Sequence, residues 1–415
     1  MNYFVYVVCG DEYYIEQLNV SLRFLRYHSK FPILVVTDLN RNKGNITHDT
    51  DHIIHVETPV EMSNNEASIF LETSLLQHLP SKGGEVFCYL DSDVIAVSEE
   101  INHVFNEIRP WPRFAPDHCD IDHHSPHAMT CSCIDHFAHK SEAWHYLQNV
   151  IPGVPASQNS KREALAKRFK AMKSRPLRYF PAILWYVLRR YVLPVNSFHM
   201  AGFRFDKKTH CWYDGDACID FDKAWYHRKI RRDKGFVQKA NHWYDSNGNL
   251  LRPETPHCSH LREFLSAQEG LEIPADFRHW NGGVFLFDRA SEHIMQTWHQ
   301  LSCNLMKNKQ IRTKYIDQVS LIMTAFRYGF HDKAPLPVKY NFITDAENSQ
   351  VAWHPDKGYT CDGFNTVFHP AFLHVYHHWG KSDWSIWQSV KHHGLENKII
   401  TKNDLKNPVL FSHTE

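Results

Sequence analysis

The chain has 415 residues, 43% hydrophobic and 13% aromatic, which suffices for a large core and for one domain with an insertion or for two or three domains. Lys plus Arg and Asp plus Glu both number 46, so no global charge argues for a nucleic-acid partner. No run of about 18 apolar residues occurs, so no membrane-spanning helix is expected. The 31 His gain charge below about pH 6.5, and the ten Cys read as thiols in a reducing cytoplasm.

Residues 3–9 read as a first strand, without the basic region and cleavage site of a signal peptide. Residues 10–14 form a turn at its carboxyl end. Residues 15–27 carry helical apolar spacing through Leu18, Leu22 and Leu25. Strands are expected at 32–37 and 53–56, and a helix at 67–79 with Ile69, Leu71, Leu75 and Leu76 buried. Pro80 and Gly83-Gly84 stop that helix before the most informative stretch, residues 85–97. There the apolar run 86–90 ends in Asp91-Ser92-Asp93, and a second apolar run follows at once. Such short runs read as strands buried on both faces of a parallel sheet. Two adjacent unpaired anions repel, and burying either is costly. A divalent cation removes both problems, and oxygen ligation suits Mg²⁺ or Mn²⁺, which also bridge phosphates. Ligands in open α/β sheets sit at the carboxyl ends of strands, where this pair falls. The other reading of the pair is an Asx turn at a loop start.

From about residue 111 the pattern changes. Pro110, Pro112 and Pro116 interrupt it. Cys119, Cys131, Cys133, His136 and His139 invite a zinc reading, but Cys-x-Cys-x-x-His fits no standard finger, so the stretch reads as a loop and no zinc site is expected. Residues 161–190 hold ten Lys or Arg and one Glu. Leu165, Phe169 and Met172 share a helical face, with Lys167, Lys170 and Lys173 elsewhere around it, and residues 179–188 are apolar and aromatic. A basic amphipathic segment with Trp and Tyr has the character of an interfacial helix on anionic lipid. A solvated basic face leading into a core helix is the other reading. Residues 241–251 read as a hairpin with an Asn-Gly turn.

Alternation resumes at Arg278. Asn281-Gly282-Gly283 reads as a glycine turn entering a buried strand, open to close approach by a ligand. A helix follows at 291–305 and another opens at Ile316, with Asp317 and Gln318 in its first turn. A short strand and turn are expected at 336–342. Last comes His374, His377-His378-Trp379-Gly380, Lys381 and Trp384. Strands alternating with helices imply an α/β fold with a doubly wound, mostly parallel sheet.

Four motifs therefore stand in a set order: Asp-x-Asp, Asn-Gly-Gly-Val, Asp-Gln, and His-x-x-Gly followed by Lys and Trp. The order resembles glycosyltransferase family 8, the GT-A group that includes glycogenin and bacterial lipopolysaccharide sugar transferases, over roughly residues 1–112 and 276–390. The resemblance implies a GT-A fold with a large inserted subdomain. It places a nucleotide-binding half at 1–112 and a catalytic and acceptor half at 276–415; it does not cover residues 113–275, which read from their own pattern as an insertion, an acceptor or membrane-surface subdomain. It implies that Asp91, Asp93 and His377 hold Mn²⁺ or Mg²⁺, with His374 and His378 as competitors for the third place. Asp11 and Tyr13 would hold a uracil edge and ring, Asn281, Gly282 and Gly283 would line the donor sugar, and Lys381 would contact the diphosphate. Asp317 would bind sugar hydroxyls and Gln318 would face the anomeric carbon. The implied reaction moves a hexose-type sugar, with retention, from a nucleotide donor, UDP-linked, to a surface polysaccharide or lipid-linked acceptor. The implied place is the cytoplasm, peripheral on the inner membrane face.

Two departures stand out. Gly380-Lys381-Ser382-Asp383-Trp384 is one residue shorter than the family's Gly-x-x-Lys-Pro-Trp and lacks the Pro. Where the family has a basic residue before the Asp-x-Asp strand, this chain has Glu72, Thr73 and Ser74. Other readings remain: Asp317-Gln318 as an acidic first turn favourable to the helix dipole, His377 as one member of an aromatic cluster, and Tyr13 as core. The alternative functions are a sugar-nucleotidyltransferase, for which the turn at 10–13 lacks a basic Gly-rich loop, and a catalytically silent sugar- or metal-binding module.

Overall fold

The structure is a computed structural model. It describes residues 1–47, 49–154, 158–239, 242–248, 250–251, 256–344, 351–355, 358–361, 366–375, 378–382 and 384–404. The chain divides into two compact units, residues 1–132 with 257–415, and residues 133–256.

The first unit is built on a six-stranded sheet. Its strands are β1 (Asn2–Val8), β2 (Ile33–Thr37), β3 (His52–His55), β4 (Val86–Leu90), β6 (Arg113–Asp120) and β14 (Arg278–Asp288), in the order β3-β2-β1-β4-β14-β6. The strands β3, β2, β1 and β4 run parallel, and β14 is antiparallel to both its neighbours. The expected doubly wound, mostly parallel α/β sheet is therefore present. Residue alternation along β1 explains its two-sided burial. Tyr3, Val5 and Val7 face one layer with Phe87, Tyr89, Phe285 and Phe287, under helices α2 (Asn64–Thr73), α9 (Glu292–Leu305) and α10 (Ile316–Arg327). Phe4, Tyr6 and Val8 face the other, against Ile15, Leu18, Leu22 and Leu25 of α1 (Glu12–His28). Each such fully buried side chain contributes about 1.5–3 kcal/mol.

The helix expected at 67–79 begins earlier, because Ser63 and Glu66 form a capping box, each side chain bonding the other's backbone N–H. It ends at Thr73 and continues as a 3₁₀ turn, Leu75–Gln77. The glycines at 282–283 are not a turn before a strand. They lie inside β14, where pairing with β6 jumps from Asn281↔Ala115 to Phe285↔Phe114, leaving three residues bulged out of the ladder. After β4 the chain crosses through Asp91-Ser92-Asp93 into β5 (Val94–Ala96), which joins a second sheet, β15-β19-β5, with β15 (Phe342–Ile343) and β19 (Phe372–His374). Residues 336–341 form a 3₁₀ turn, Val338–Tyr340, rather than a strand. A third small sheet holds β16 (Ala352–His354), β17 (Gly358–Cys361) and β18 (Thr366–Phe368), and α11 (Ser385–Glu396) closes the unit.

The insertion expected at 113–275 is shorter as a compact unit. Strand β6 belongs to the central sheet through β14, and α3 (Ile121–Ala128) packs with α8 (His260–Glu269) in the first unit, so only residues 133–256 separate. That second unit contains helices α4 (Cys133–Val150), α5 (Asn159–Ser174), α6 (Phe180–Val187) and α7 (Lys223–Lys234). It has an antiparallel sheet of β7 (Ser197–Met200), β8 (Phe203–Asp206), β9 (Cys211–Asp214) and β10 (Ala217–Phe221). Strands β11 (Val237–Lys239), β12 (His242–Tyr244) and β13 (Leu250–Leu251) make the other sheet described in this unit, in which β12 and β13 form the expected hairpin and Gly248 takes φ +85° at its turn. Leu165 and Met172 of α5 are buried and Phe169 packs beside them, so the apolar face of the basic helix is covered by this unit's own core. The exposed apolar side chains belong instead to α6 and the π-helical turn after it, Leu188–Val192.

Candidate functional site

The site forms where the chain passes from the six-stranded sheet of the first unit into the β15-β19-β5 sheet. The Asp91 N–H bonds Gly283 O at 2.9 Å, which docks the turn onto the β14 bulge. The Val94 N–H then bonds Asp91 O at 3.1 Å, a tight reversal. Antiparallel pairing of β5 with β19 sets His374 opposite Val94, so the imidazole meets Asp93. His374 Nε2 lies 3.4 Å from Asp93 Oδ1. Ligand-type atoms of Asp91, Asp93 and His374 all lie within 4.8 Å of one another.

A polar relay orients that histidine. The Gly283 N–H donates to Asn281 Oδ1 at 2.8 Å, which identifies the oxygen of that amide. Asn341 Nδ2 donates to the same oxygen at 2.9 Å, so Asn341 Oδ1 is the atom 2.9 Å from His374 Nδ1. The Nδ1 must then carry a proton, and in the neutral ring Nε2 presents its lone pair toward Asp93. Asn281 Nδ2 in turn donates to buried Asp117 Oδ2 at 3.1 Å. His118 Nδ1 lies 2.8 Å from Asp117 Oδ1.

The carboxylates crowd one another. Burial and then the Asp93 charge push Asp91 up to about 6. Burial and then Asp91 push Asp317 up to about 7. Glu72 is buried on α2 and is raised well above the usual carboxylate range by burial, then by Asp317 and Asp91. Tyr89, from the aromatic layer of the sheet, donates its hydroxyl to Asp91 at 2.6 Å. Among the described residues no Lys or Arg pairs with Asp91, Asp93, Glu72 or Asp317. Asp93 Oδ1 is buried without a hydrogen-bond donor among the described residues. An orphaned anionic oxygen beside a second carboxylate and an oriented imidazole fits a hard divalent cation.

The other expected site residues divide. Gly282 lies beside two of these carboxylates, since a Cβ there would stand 3.3 Å from Glu72 Oε1 and 3.5 Å from Asp317 Oδ2. At Gly283 a Cβ would stand 2.3 Å from His374 Cε1, so only glycine lets the histidine approach. Tyr13 is half exposed, and its hydroxyl is pushed up by burial and then by the Asp93 charge, which places it at the same cleft. Asp11 stands at the N-cap position of α1 without a side-chain capping bond and takes an exposed 2.6 Å ion pair from Lys43. Gln318 follows Asp317 in the first turn of α10, half-buried. Lys381 is exposed, its N–H bonded to His378 O at 3.2 Å, and among the described residues nothing ties its ammonium to the carboxylates. His377 lies outside the described residues, as do the side chains of His136 and His139. Of the competitors weighed for the third position, His374 joins Asp91 and Asp93. Sequence reasoning did not assign Glu72, Asp117, Asn341 or Tyr89 to the site. Only Glu72 had left a signal, as an acidic residue in a place where a basic one was expected.

No protein-family model matches the sequence, and comparison with curated proteins gives no match. Solved structures of the galactosyltransferase LgtC are among the structural neighbours. One, a complex with donor and acceptor sugar analogues, is 15% identical with TM-score 0.21, over 28% of this chain and 47% of that one. Another, an active-site mutant of LgtC, is 11% identical with TM-score 0.40, over 98% of this chain and 99% of that one. At such TM-scores neither likeness carries an inference about this chain.

Proposed function

We propose that the chain is a metal-dependent glycosyltransferase that moves a hexose-type sugar from a nucleotide donor, UDP-linked, to a surface polysaccharide or lipid-linked acceptor. One observation carries this reading: Asp91, Asp93 and His374 converge at the carboxyl end of β4, with Asp93 Oδ1 buried and without a hydrogen-bond donor among the described residues. Bound there, Mn²⁺ or Mg²⁺ would stabilise charge developing on a diphosphate leaving group. Asp91, Asp93 and His374 hold it in this reading.

Tyr13 and Asp11, at the end of β1, are assigned to the nucleotide base. The β14 bulge brings Asn281, Gly282 and Gly283 beside the same carboxylates and His374, and these three residues are assigned to the donor sugar. Asp317 is assigned to sugar hydroxyls, and a carboxyl raised to about 7 accepts or donates a hydrogen bond near neutral pH. Gln318, beside it, is assigned to the anomeric carbon, and Lys381 to the diphosphate. An amide in place of a basic carboxylate supports retention of anomeric configuration.

The acceptor is placed at an anionic membrane surface. Leu177 is 91% exposed and Phe180 59%, and Leu184, Trp185 and Tyr191 are exposed beside Arg175, Arg178 and Arg189. Apolar side chains ringed by Arg suit an interfacial segment. Among the described residues no helix is long and apolar enough to cross a membrane.

The test is thermal stabilisation across nucleotide sugars with and without Mn²⁺, followed by proton NMR of the first-formed product. Stabilisation by a UDP-sugar only with metal is expected, as is retention. Stabilisation that ignores metal, or loss of no activity in Asp93→Ala, overturns the site. Sedimentation with anionic but not neutral liposomes, weakened by salt, tests the surface.

A further inference from the structure

The chain leaves the first unit after Ser132 and re-enters it at His257. Ligand-type side chains stand at both crossings: Cys131 before the exit, Cys258 and His260 after the return. Both segments are fixed to firm structure. Thr130 N–H bonds Gln310 O at 3.0 Å, and Met129 bridges Ile311. Cys258 N–H bonds Asp122 O at 2.9 Å. Arg262 of α8 grips Asp122 of α3 with two bonds, at 2.6 and 2.9 Å, and Leu261 N–H bonds Ser125 Oγ at 2.9 Å.

The clamp leaves Cys131 Sγ and Cys258 Sγ 3.9 Å apart. The His260 imidazole is hydrogen-bonded to the Cys131 thiol, and ligand atoms of all three residues lie within 4.8 Å of one another. A disulfide requires sulfurs about 2.05 Å apart. Two thiolates on a tetrahedral zinc, each about 2.3 Å from it, sit roughly 3.8 Å apart. The observed spacing is that of shared metal ligands. Ser125 Oγ lies 3.1 Å from Cys258 Sγ, a hydroxyl placed to donate to a thiolate.

We propose that Cys131, Cys258 and His260 bind one structural zinc ion. Cys131 and the Cys-x-His pair are more than a hundred residues apart in sequence, so no finger-like spacing announces them. The ion ties together the two stems of residues 133–256. It stabilises the fold by closing a very long loop in the chain. This site is independent of the Asp91, Asp93 and His374 cleft.

The untagged full chain, purified under reducing conditions, is analysed for metal by mass spectrometry and then loaded with Co²⁺. Expected are about one zinc per chain and a thiolate-to-cobalt charge-transfer band in the near ultraviolet. Cys131→Ser and Cys258→Ser lose both, while His374→Ala and Cys303→Ser keep them. The wild-type cobalt spectrum decides even where a cysteine variant does not fold. A wild-type chain that takes up no zinc from a zinc-containing reducing buffer and shows no thiolate band overturns the proposal. So does a Cys131–Cys258 disulfide found by peptide mapping of protein prepared in the same buffer.

Discussion

His374 Nδ1 lies 2.9 Å from Asn341 Oδ1, and the tautomer this enforces can be traced to a backbone N–H that cannot flip. Gly283 sets Asn281, Asn281 sets Asn341, and Asn341 sets the histidine. Asn341 therefore acts on metal without touching it. In Asn341→Leu, Mn²⁺ affinity should fall by about 10–100-fold, as for other lost outer-shell partners. Titration calorimetry measures it, and affinity equal to wild type would show that His374 needs no such orientation.

Gly283 and Gly282 differ in what surrounds them, and so should their alanine variants. A methyl at Gly283 collides with His374 Cε1 at 2.3 Å, whereas one at Gly282 meets only carboxylate oxygens, the nearer at 3.3 Å. Gly283→Ala should weaken Mn²⁺ binding by at least about tenfold. Gly282→Ala should keep its metal and fold within about 2 °C of the wild-type Tm while losing donor affinity. Equal metal binding in both variants would place the metal away from His374.

Burial beside Asp317 and Asp91 raises Glu72 well above the usual range, so a neutral isostere should change little. Glu72→Gln should retain Mn²⁺ affinity within about threefold, while Asp91→Asn should lose about a hundredfold or more. A large metal-affinity loss in Glu72→Gln would make Glu72 a ligand.

His28 of α1 and His393 of α11 stack at 5.0 Å between ring centroids, with their Nε2 atoms 2.8 Å apart. Burial, then His393, lowers His28 from 6.5 to about 4. The unfolded chain therefore binds the proton first as pH falls below about 6.5, and stability declines from there toward pH 4. At pH 5 the loss from this residue is about 2 kcal/mol. His28→Phe should show a smaller fall in Tm between pH 7 and pH 5 than wild type. An unchanged fall would mean that other groups carry the acid sensitivity.

Much of the fold was readable because local patterns and tertiary burial agree. The alternation in Tyr3 through Val8 and the helical spacing of Leu18, Leu22 and Leu25 each bury as they read. Boundaries moved where a cap or a bulge decided them, as at Ser63 and at Asn281. Asp91 and Asp93 were legible because both ligands sit in one tripeptide. Spacing did not separate His374 from His377 and His378; His374 comes to Asp93 because it lies opposite Val94 in the β5–β19 pairing, and His377 lies outside the described residues. Asp117, Asn341 and Cys258 were invisible for the same reason. Each acquires its meaning only from a partner brought near by strand register or by the α3–α8 clamp.

The 3.9 Å approach of Cys131 to Cys258 also makes residues 133–256 a cassette. No strand of the central sheet lies within it. A short linker joining Cys131 to Cys258 would close the gap without asking any strand to shift register. The two cysteines thus mark where residues 133–256 could be exchanged for another segment while the strands that carry Asp91 keep their pairing.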